Sequence, residues 1–324
     1  MIAADGQLYL DSYLAPISRW LAREDVTDIY INRPGEIWVE SLGGPIERHD
    51  AAVLDAATLN RLARQIAAAN AQGVNREHPL LAASLPDGSR VQVVLPPATR
   101  GDVAIAIRRH VVQELRLESY RETICTDPRV VPGGSDDWQA RIASDPIAAL
   151  RDAVRERRTI LVSGGTSSGK TTFLNALLRE VPEDERLITI EDAGELQIRQ
   201  PNTVGLIAAR GSEGEAEVTA EDLLIAALRM RPDRIILGEI RGAEAMTFLR
   251  AINTGHPGSL STIHADSPER AIDQLALLAM QAGGKLAWDD LVRYISKSID
   301  IIVQLARSGG RRKITAIKFS PTFA

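Results

Sequence analysis

The first 125 residues read as short alternating segments interrupted by one long amphipathic stretch. "DSYLAPISRWLA" (11–22) places apolar residues at helical spacing. "VTDIYINRPGEIWVES" (26–41) then alternates as two strands around the turn Asn32-Arg33-Pro34-Gly35. "DAATLNRLARQIAAANAQ" (55–72) predicts a helix with Leu59, Leu62, Ile66 and Ala69 on one face and Gly73 near its end. "SRVQVVLPP" and "DVAIAIRRHV" are strands again, separated by a loop from Pro96 to Gly101. The Pro-, Gly- and Asp-rich stretch 125–138 marks a boundary.

Beyond it the period changes. "DPIAALRDAVRERR" opens as a helix with Asp145 at the N-cap and Pro146 at its first position. Strands and helices then alternate, the pattern of a parallel α/β sheet. The predicted strands are "TILVSG" (159–164), "LITIED" (187–192), "RIILGEI" (234–240) and "GSLSTIH" (258–264). Between them lie helices at "KTTFLNALLREV", "TAEDLLIAALRMRPD" with a Thr219/Asp222 capping box, and "EAMTFLRAINTG". A further helix, "SPERAIDQLALLAMQAGG", is capped by Ser267, and 299–319 reads as a hairpin turning at Gly309-Gly310. The expected division is therefore an N-terminal α/β domain over 1–125, a linker over 126–145, and a P-loop domain over 146–324.

Composition narrows the class. Of the 324 residues 44% are apolar and 25% charged, as in globular proteins, and no apolar run approaches the roughly 18 residues of a membrane span. The N-terminus lacks the basic-then-apolar order of a secretory signal, so a cytoplasmic protein is expected. A single cysteine, Cys125, excludes an intrachain disulfide and a multi-cysteine zinc site. The net charge of -5 argues against nucleic acid as the primary substrate, and the basic stretch Arg307–Lys313 reads as a solvated turn.

The sharpest chemical signal is "GGTSSGKTT", spanning Gly164, Gly165, Thr166, Ser167, Ser168, Gly169, Lys170, Thr171 and Thr172. It fits the phosphate-loop pattern with a strand before it and a helix after it. Glycines let backbone N–H groups curl around phosphate, Lys170 can reach the β and γ oxygens, and Thr171 can offer its hydroxyl to Mg²⁺. A nucleoside triphosphate, ATP with Mg²⁺, is the ligand this implies.

Three other strand ends carry polar groups, where open parallel sheets place ligands. They deliver Glu191-Asp192 with Glu195 behind, then Glu239, then His264, while His256 lies in the turn before the last strand. Singly, such acids cap helices and such histidines make structural hydrogen bonds. Together, beside one phosphate loop, a site is the simpler account. One oddity stands in "RIILGEIR": Gly238 occupies the place where P-loop ATPases usually end this strand in Asp. A glycine there leaves room for backbone or phosphate to approach.

In this order the phosphate loop, "ITIED", "GEIR" and "TGH...STIHA" resemble the secretion ATPases of type II and type IV secretion and type IV pili. "LRMRPDRIILGEIRGAEA" and "TGHPGSLSTIHADSPERA" look most like the hexameric traffic ATPase of type IV secretion and conjugation, the VirB-eleven type. "IYINRPGEIWVE", "LPDGSRVQVVLPPAT" and "IAIRRH" fit that family as well, so the likeness spans nearly the whole chain. Type II secretion ATPases usually carry a four-cysteine zinc module, which one cysteine argues against; pilus retraction motors share the four boxes.

The resemblance implies a RecA-like P-loop motor domain preceded by a smaller mixed α/β domain. In it, Glu191 orients the attacking water, Glu239 takes the Walker B role at magnesium, and His264 senses the γ-phosphate. Arg90 and Arg108 are the N-terminal arginines that reach the nucleotide, with Arg109 an adjacent alternative to Arg108. Arg229, Arg231 and Arg241 are further arginines that can face a neighbouring subunit. The same resemblance implies a homohexamer working with other type IV secretion components, peripheral at the cytoplasmic face of the inner membrane. A pilus motor, a slowly hydrolysing assembly scaffold and a nucleic-acid motor are the alternatives.

Overall fold

In the computed structural model, which describes residues 10–42, 44–109, 115–121, 123–131, 136–208, 218–283, 286–308 and 311–320, the alternation around Asn32 becomes β1 (Val26–Ile31) and β2 (Gly35–Ser41). A bulge between Val26 and Asp28 restores Val26 to the face of Ile29 and Ile31, all three buried. Four more strands complete an antiparallel sheet: β3 (Ile46–Ala51), β4 (Leu80–Ser84), β5 (Arg90–Val94) and β6 (Ala104–Arg108), in the order β3-β2-β1-β6-β5-β4. The edge strands β3 and β4 escaped the pattern because both are largely exposed and so show no apolar face. Helix α1 (Ala56–Ala69), capped by Asp55, buries Leu59, Leu62, Ala63, Ile66 and Ala67. Ala69, expected on that face, is exposed: the buried stripe follows the 3.6-residue period through Ala63 and Ala67 instead. The left-handed residue after the helix is Ala71, not Gly73. The predicted N-terminal helix is broken by a 3₁₀ turn at Ala15–Ile17, where Pro16 interrupts the ladder.

This sheet lies in one compact unit, within Met1–Val112; the second comprises Gln113–Ala208 and Val218–Ala324. The stretch expected as a linker belongs to the second unit, in which β7 (Ile124–Val131) adds to the edge of its sheet and α2 (Asp136–Ser144) follows. Its proline and glycine content suggests a boundary, whereas the pairing of β7 with a strand almost 190 residues later leaves no local trace.

The second sheet has the order β10-β9-β11-β12-β8-β13-β14-β7. Helix α3 (Pro146–Arg155) leads to β8 (Ile160–Gly164), and α4 (Lys170–Leu178) to β9 (Leu187–Glu191). Then come β10 (Thr203–Ile207), α5 (Ala220–Ala227), β11 (Arg234–Leu237), α6 (Glu244–Asn253) and β12 (Leu260–Ile263). Helices α7 (Pro268–Gln281) and α8 (Trp288–Ser298) precede the antiparallel pair β13 (Ile301–Ser308) and β14 (Arg311–Phe319); the predicted turn at Gly309-Gly310 lies outside the described residues. Strands β8, β9, β11 and β12 run parallel and are buried on both faces, hence their unbroken apolar runs. Ile160, Val162 and Ile236 feed one core with α3 and α4, while Leu161, Ile235 and Leu237 feed the other with α5 to α8.

Candidate active site

β8 runs straight into the phosphate loop, and two left-handed residues turn that loop into α4: Ser167 (φ 60°) and Gly169 (φ 92°). Gly169 is required twice over. Its φ disfavours a side chain, and a Cβ there would stand 2.5 Å from Arg312 Cδ. The Lys170 side chain, buried at 7% exposure, folds back so that Nζ donates to Gly164 O at 3.0 Å and Gly165 O at 3.3 Å. Its ammonium also lies 3.2 Å from His264 Nε2.

His264 follows β12 and stands 2.9 Å from Glu239 Oε1. Lys170, Glu239 and His264, 69 and then 25 residues apart along the chain, thus meet at the carboxyl ends of β8, β11 and β12. Burial pushes the Glu239 carboxyl up, but Arg241, Lys170 and His264 together hold it below the ordinary glutamate range. It is therefore an anion set among cations. Arg241 grips it at 2.5 Å and reaches Asp192 at 3.2 Å with its other amino group, tying the end of β11 to the turn after β9.

Glu191, 8% exposed, ends β9. Its Oε1 accepts from the backbone N–H groups of Glu195 and Leu196, both at 2.7 Å, which fixes the carboxylate plane. Gly238 sits beside it: the Gly238 N–H donates to Ile190 O at 2.8 Å, and a Cβ at 238 would meet Glu191 Cγ at 3.3 Å. A side chain at 238 would therefore meet the Glu191 side chain first, with Ile190 O next at 3.5 Å.

Other candidates fall elsewhere. His256 Nδ1 lies 3.0 Å from Pro232 O, in the turns that precede β11 and β12, at the opposite end of these strands from His264. In the N-terminal unit, Arg90 of β5 and Arg108 of β6 are register partners, and Arg108 also pairs with Asp28 of β1. Arg108 is half exposed, with its Nε 3.9 Å from Asp28 Oδ1. Arg109 turns the other way and donates to the carbonyls of Arg23 and Val26, an anchor within its own sheet.

The donors suit a small hard cation. No cluster of three His, Cys, Asp or Glu occurs among the described residues. The hydroxyl of Thr171 and the carboxylate of Glu239 are hard oxygen donors of the kind Mg²⁺ accepts beside phosphate and water.

A family model described as "Type II/IV secretion system protein" matches residues 139–318. The type IV secretion protein VirB11 of Bartonella quintana is 36% identical across 95% of this chain and 92% of its own length. PtlH of Bordetella pertussis, another type IV secretion protein, is 40% identical across 97% and 96%. The chain belongs to the type II/IV secretion protein family. The crystal structure of the Brucella suis VirB11 ATPase in complex with sulphate overlays with a TM-score of 0.54, at 34% identity over 99% of this chain and 97% of that one. As a member of this family the chain is an ATP-hydrolysing secretion ATPase. The pilus retraction motor PilT with bound ADP shares the fold at a TM-score of 0.61 and 22% identity, and a pilus motor stays compatible with these likenesses.

Two contributors were not legible as site residues. Arg241 was visible inside the "GEIR" box, but only its position between two acidic strand ends gives it a task. Arg312, expected in a solvated turn, is half-buried and donates to Thr172 Oγ1 at 3.0 Å, across 140 residues of sequence.

Proposed function

We propose that this chain hydrolyses Mg·ATP at the loop of residues 164–172 and spends the energy on translocation by a type IV secretion or conjugation system. The observation that carries this reading is the convergence of Lys170, His264 and Glu239 within 3.3 Å contacts at the mouth of the phosphate loop. The Lys170 ammonium leaves the Gly164 and Gly165 carbonyls for the β and γ oxygens, and backbone N–H groups of the loop take the β-phosphate. Thr171 and Glu239 would hold Mg²⁺, which when bound would neutralise charge on the phosphate oxygens. Glu191, its plane set by the amides of Glu195 and Leu196, orients the water through its second oxygen. His264 reports the γ-phosphate, passing between it and Glu239.

Arg90 and Arg108 are neighbours on one sheet row, and their guanidinium groups suit bidentate contact with phosphate. Six copies form the ring, working at the cytoplasmic face of the inner membrane beside other secretion components. Among the described residues no helix is long and apolar enough to cross a membrane, so that contact is peripheral in this reading.

The test is a pair of variants in the full chain. Lys170→Ala should lose ATP binding and turnover together. Glu191→Gln should bind ATP with near wild-type affinity yet turn over at least about a hundredfold more slowly, the usual scale of a lost general base. Wild-type turnover by Glu191→Gln would remove Glu191 from the mechanism.

A further inference from the structure

Sheet order gives the site a direction. β8, which carries the loop, has β12 on one side and β13 then β14 on the other. Every group assigned to the transferred phosphate lies on the β12 side: His264 after β12, Glu239 after β11, Glu191 at the end of β9. Lys170 leans that way too, with Nζ 3.2 Å from His264. A triphosphate laid across the loop with its terminal phosphate there must carry its nucleoside end toward β13 and β14.

That flank is furnished. Arg312, near the start of β14, lays its stem over Gly169, where a Cβ would stand 2.5 Å from Cδ and 2.9 Å from Nε. Its Nη1 donates to Thr172 Oγ1 at 3.0 Å, so it touches the phosphate loop at two points. Tyr120, 2% exposed, packs its ring edge-on against Phe173 of α4 at 4.9 Å between centroids, one residue along from the Thr172 that Arg312 bonds. The Tyr120 hydroxyl finds no hydrogen-bond partner among the described residues. Burial pushes that phenol up to about 12 and pulls the Arg312 guanidinium below its ordinary value, the two acting on each other as neighbours. A buried hydroxyl without a partner destabilises the fold, and structural duty alone gives no reason to keep it.

We propose that Arg312 binds the α-phosphate of the nucleotide beside Thr172, and that Tyr120 is the positioning residue whose hydroxyl accepts from the Arg312 guanidinium in the bound state. This rests on the ATPase reading above and adds the nucleoside end of the same site. On binding, Arg312 exchanges Thr172 Oγ1 for a phosphate oxygen, and Thr172 is released to the ligand.

Calorimetric titration of the full chain with Mg·ADP and with Mg·pyrophosphate separates the two ends, because pyrophosphate satisfies the Lys170 end alone. Arg312→Ala should weaken ADP about tenfold, the worth of one charge-assisted hydrogen bond, and leave pyrophosphate within about twofold. Tyr120→Phe should weaken ADP about threefold, the worth of a neutral hydrogen bond, with no fall in melting temperature, so it serves even where Arg312→Ala folds poorly. Equal weakening of both ligands would reduce Arg312 to a support for the loop, and no weakening of either would remove it from the site; each overturns the proposal. A wild-type chain that binds neither ligand would instead overturn the ATPase reading on which the proposal stands.

Discussion

Two arginines seven residues apart, Arg234 and Arg241, bracket β11 and show how burial divides labour between like ion pairs. Arg234, at the start of the strand, is 0% exposed. It makes a fork to Glu185 at 2.5 and 2.8 Å and donates to the carbonyls of Val154 at 2.7 Å and Gly258 at 3.3 Å. Gly258 stays a glycine because a Cβ would stand 2.7 Å from Arg234 Nη1. Arg241, just past the other end, is 41% exposed and divides its grip between Glu239 and Asp192. Desolvated and saturated with partners, the first pair has one arrangement. The second stands at solvent, where its contacts can exchange with water and ions. Rigidity belongs at one end of the strand and exchangeable charge at the other.

The largest effect should come from the buried pair. Arg234→Met leaves the Glu185 carboxylate in the interior with the partly exposed Arg157 guanidinium, 3.4 Å away, as its remaining partner. Loss of one member of a buried pair costs about 3–5 kcal/mol, readable as a large drop in denaturant midpoint. Arg234→Met with Glu185→Leu should recover most of that loss, since a well-packed apolar pair replaces an ionic one without an orphaned charge. If the single variant melted like the wild type, the rigid side of the comparison would be wrong.

A middle-sized effect is expected at Gly238. An alanine there presses on Glu191 Cγ at 3.3 Å and only touches Ile190 O at 3.5 Å. Overpacking of this kind costs about 1–3 kcal/mol, and the displaced carboxylate should lower turnover far more than it weakens ATP binding. Measuring both on Gly238→Ala checks the claim: unchanged turnover would mean that Gly238 does not seat Glu191. Asp at the same position, the usual P-loop choice, should be worse than Ala, because it adds a second anion against Glu191.

How much of this was legible depended on whether a signal was local. The phosphate loop, the Thr219 capping box and the Asp145 and Ser267 caps are written within a few residues, and each forms as predicted. The apolar runs of β8, β9, β11 and β12 were equally plain, since strands buried on both faces have no polar side to confuse the pattern. What stayed hidden was set by partners distant in sequence. β7 is a strand through its pairing with β14, β10 is half-exposed beside β9, and helix α8 buries only Leu291, Ile295 and Ser298, too few for a clear apolar stripe. At the site, the residue types at the strand ends were readable. The bond from Arg312 to Thr172, the amides that hold Glu191 and the seating of that carboxylate by Gly238 depend on sheet order, which no spacing along the chain encodes.

The smallest effect concerns a third arginine–carboxylate arrangement, in the N-terminal unit, where burial is unequal within one pair. Glu36 is 4% exposed and accepts from Arg33 at 3.0 Å, Trp38 at 3.0 Å and Arg48 at 3.0 Å, while the two arginines are 69% and 49% exposed. The Arg33, Trp38 and Arg48 hydrogen bonds hold its carboxyl down at about 2, against an ordinary 4.5. A carboxylate whose pKa is lower in the folded state adds stability that is complete above the unfolded value and is lost as pH falls toward the folded one. The contribution should therefore fade between about pH 4.5 and about pH 2, and exposed arginines screened by water and salt keep it small. Melting curves of wild type and Glu36→Gln across that window are the check. The wild type should lose its advantage as the pH drops, and added salt should shrink the gap at neutral pH. A gap independent of pH would mean that Glu36 acts through packing with Trp38, which would place this pair with the rigid arginine at Arg234 and not between the two extremes.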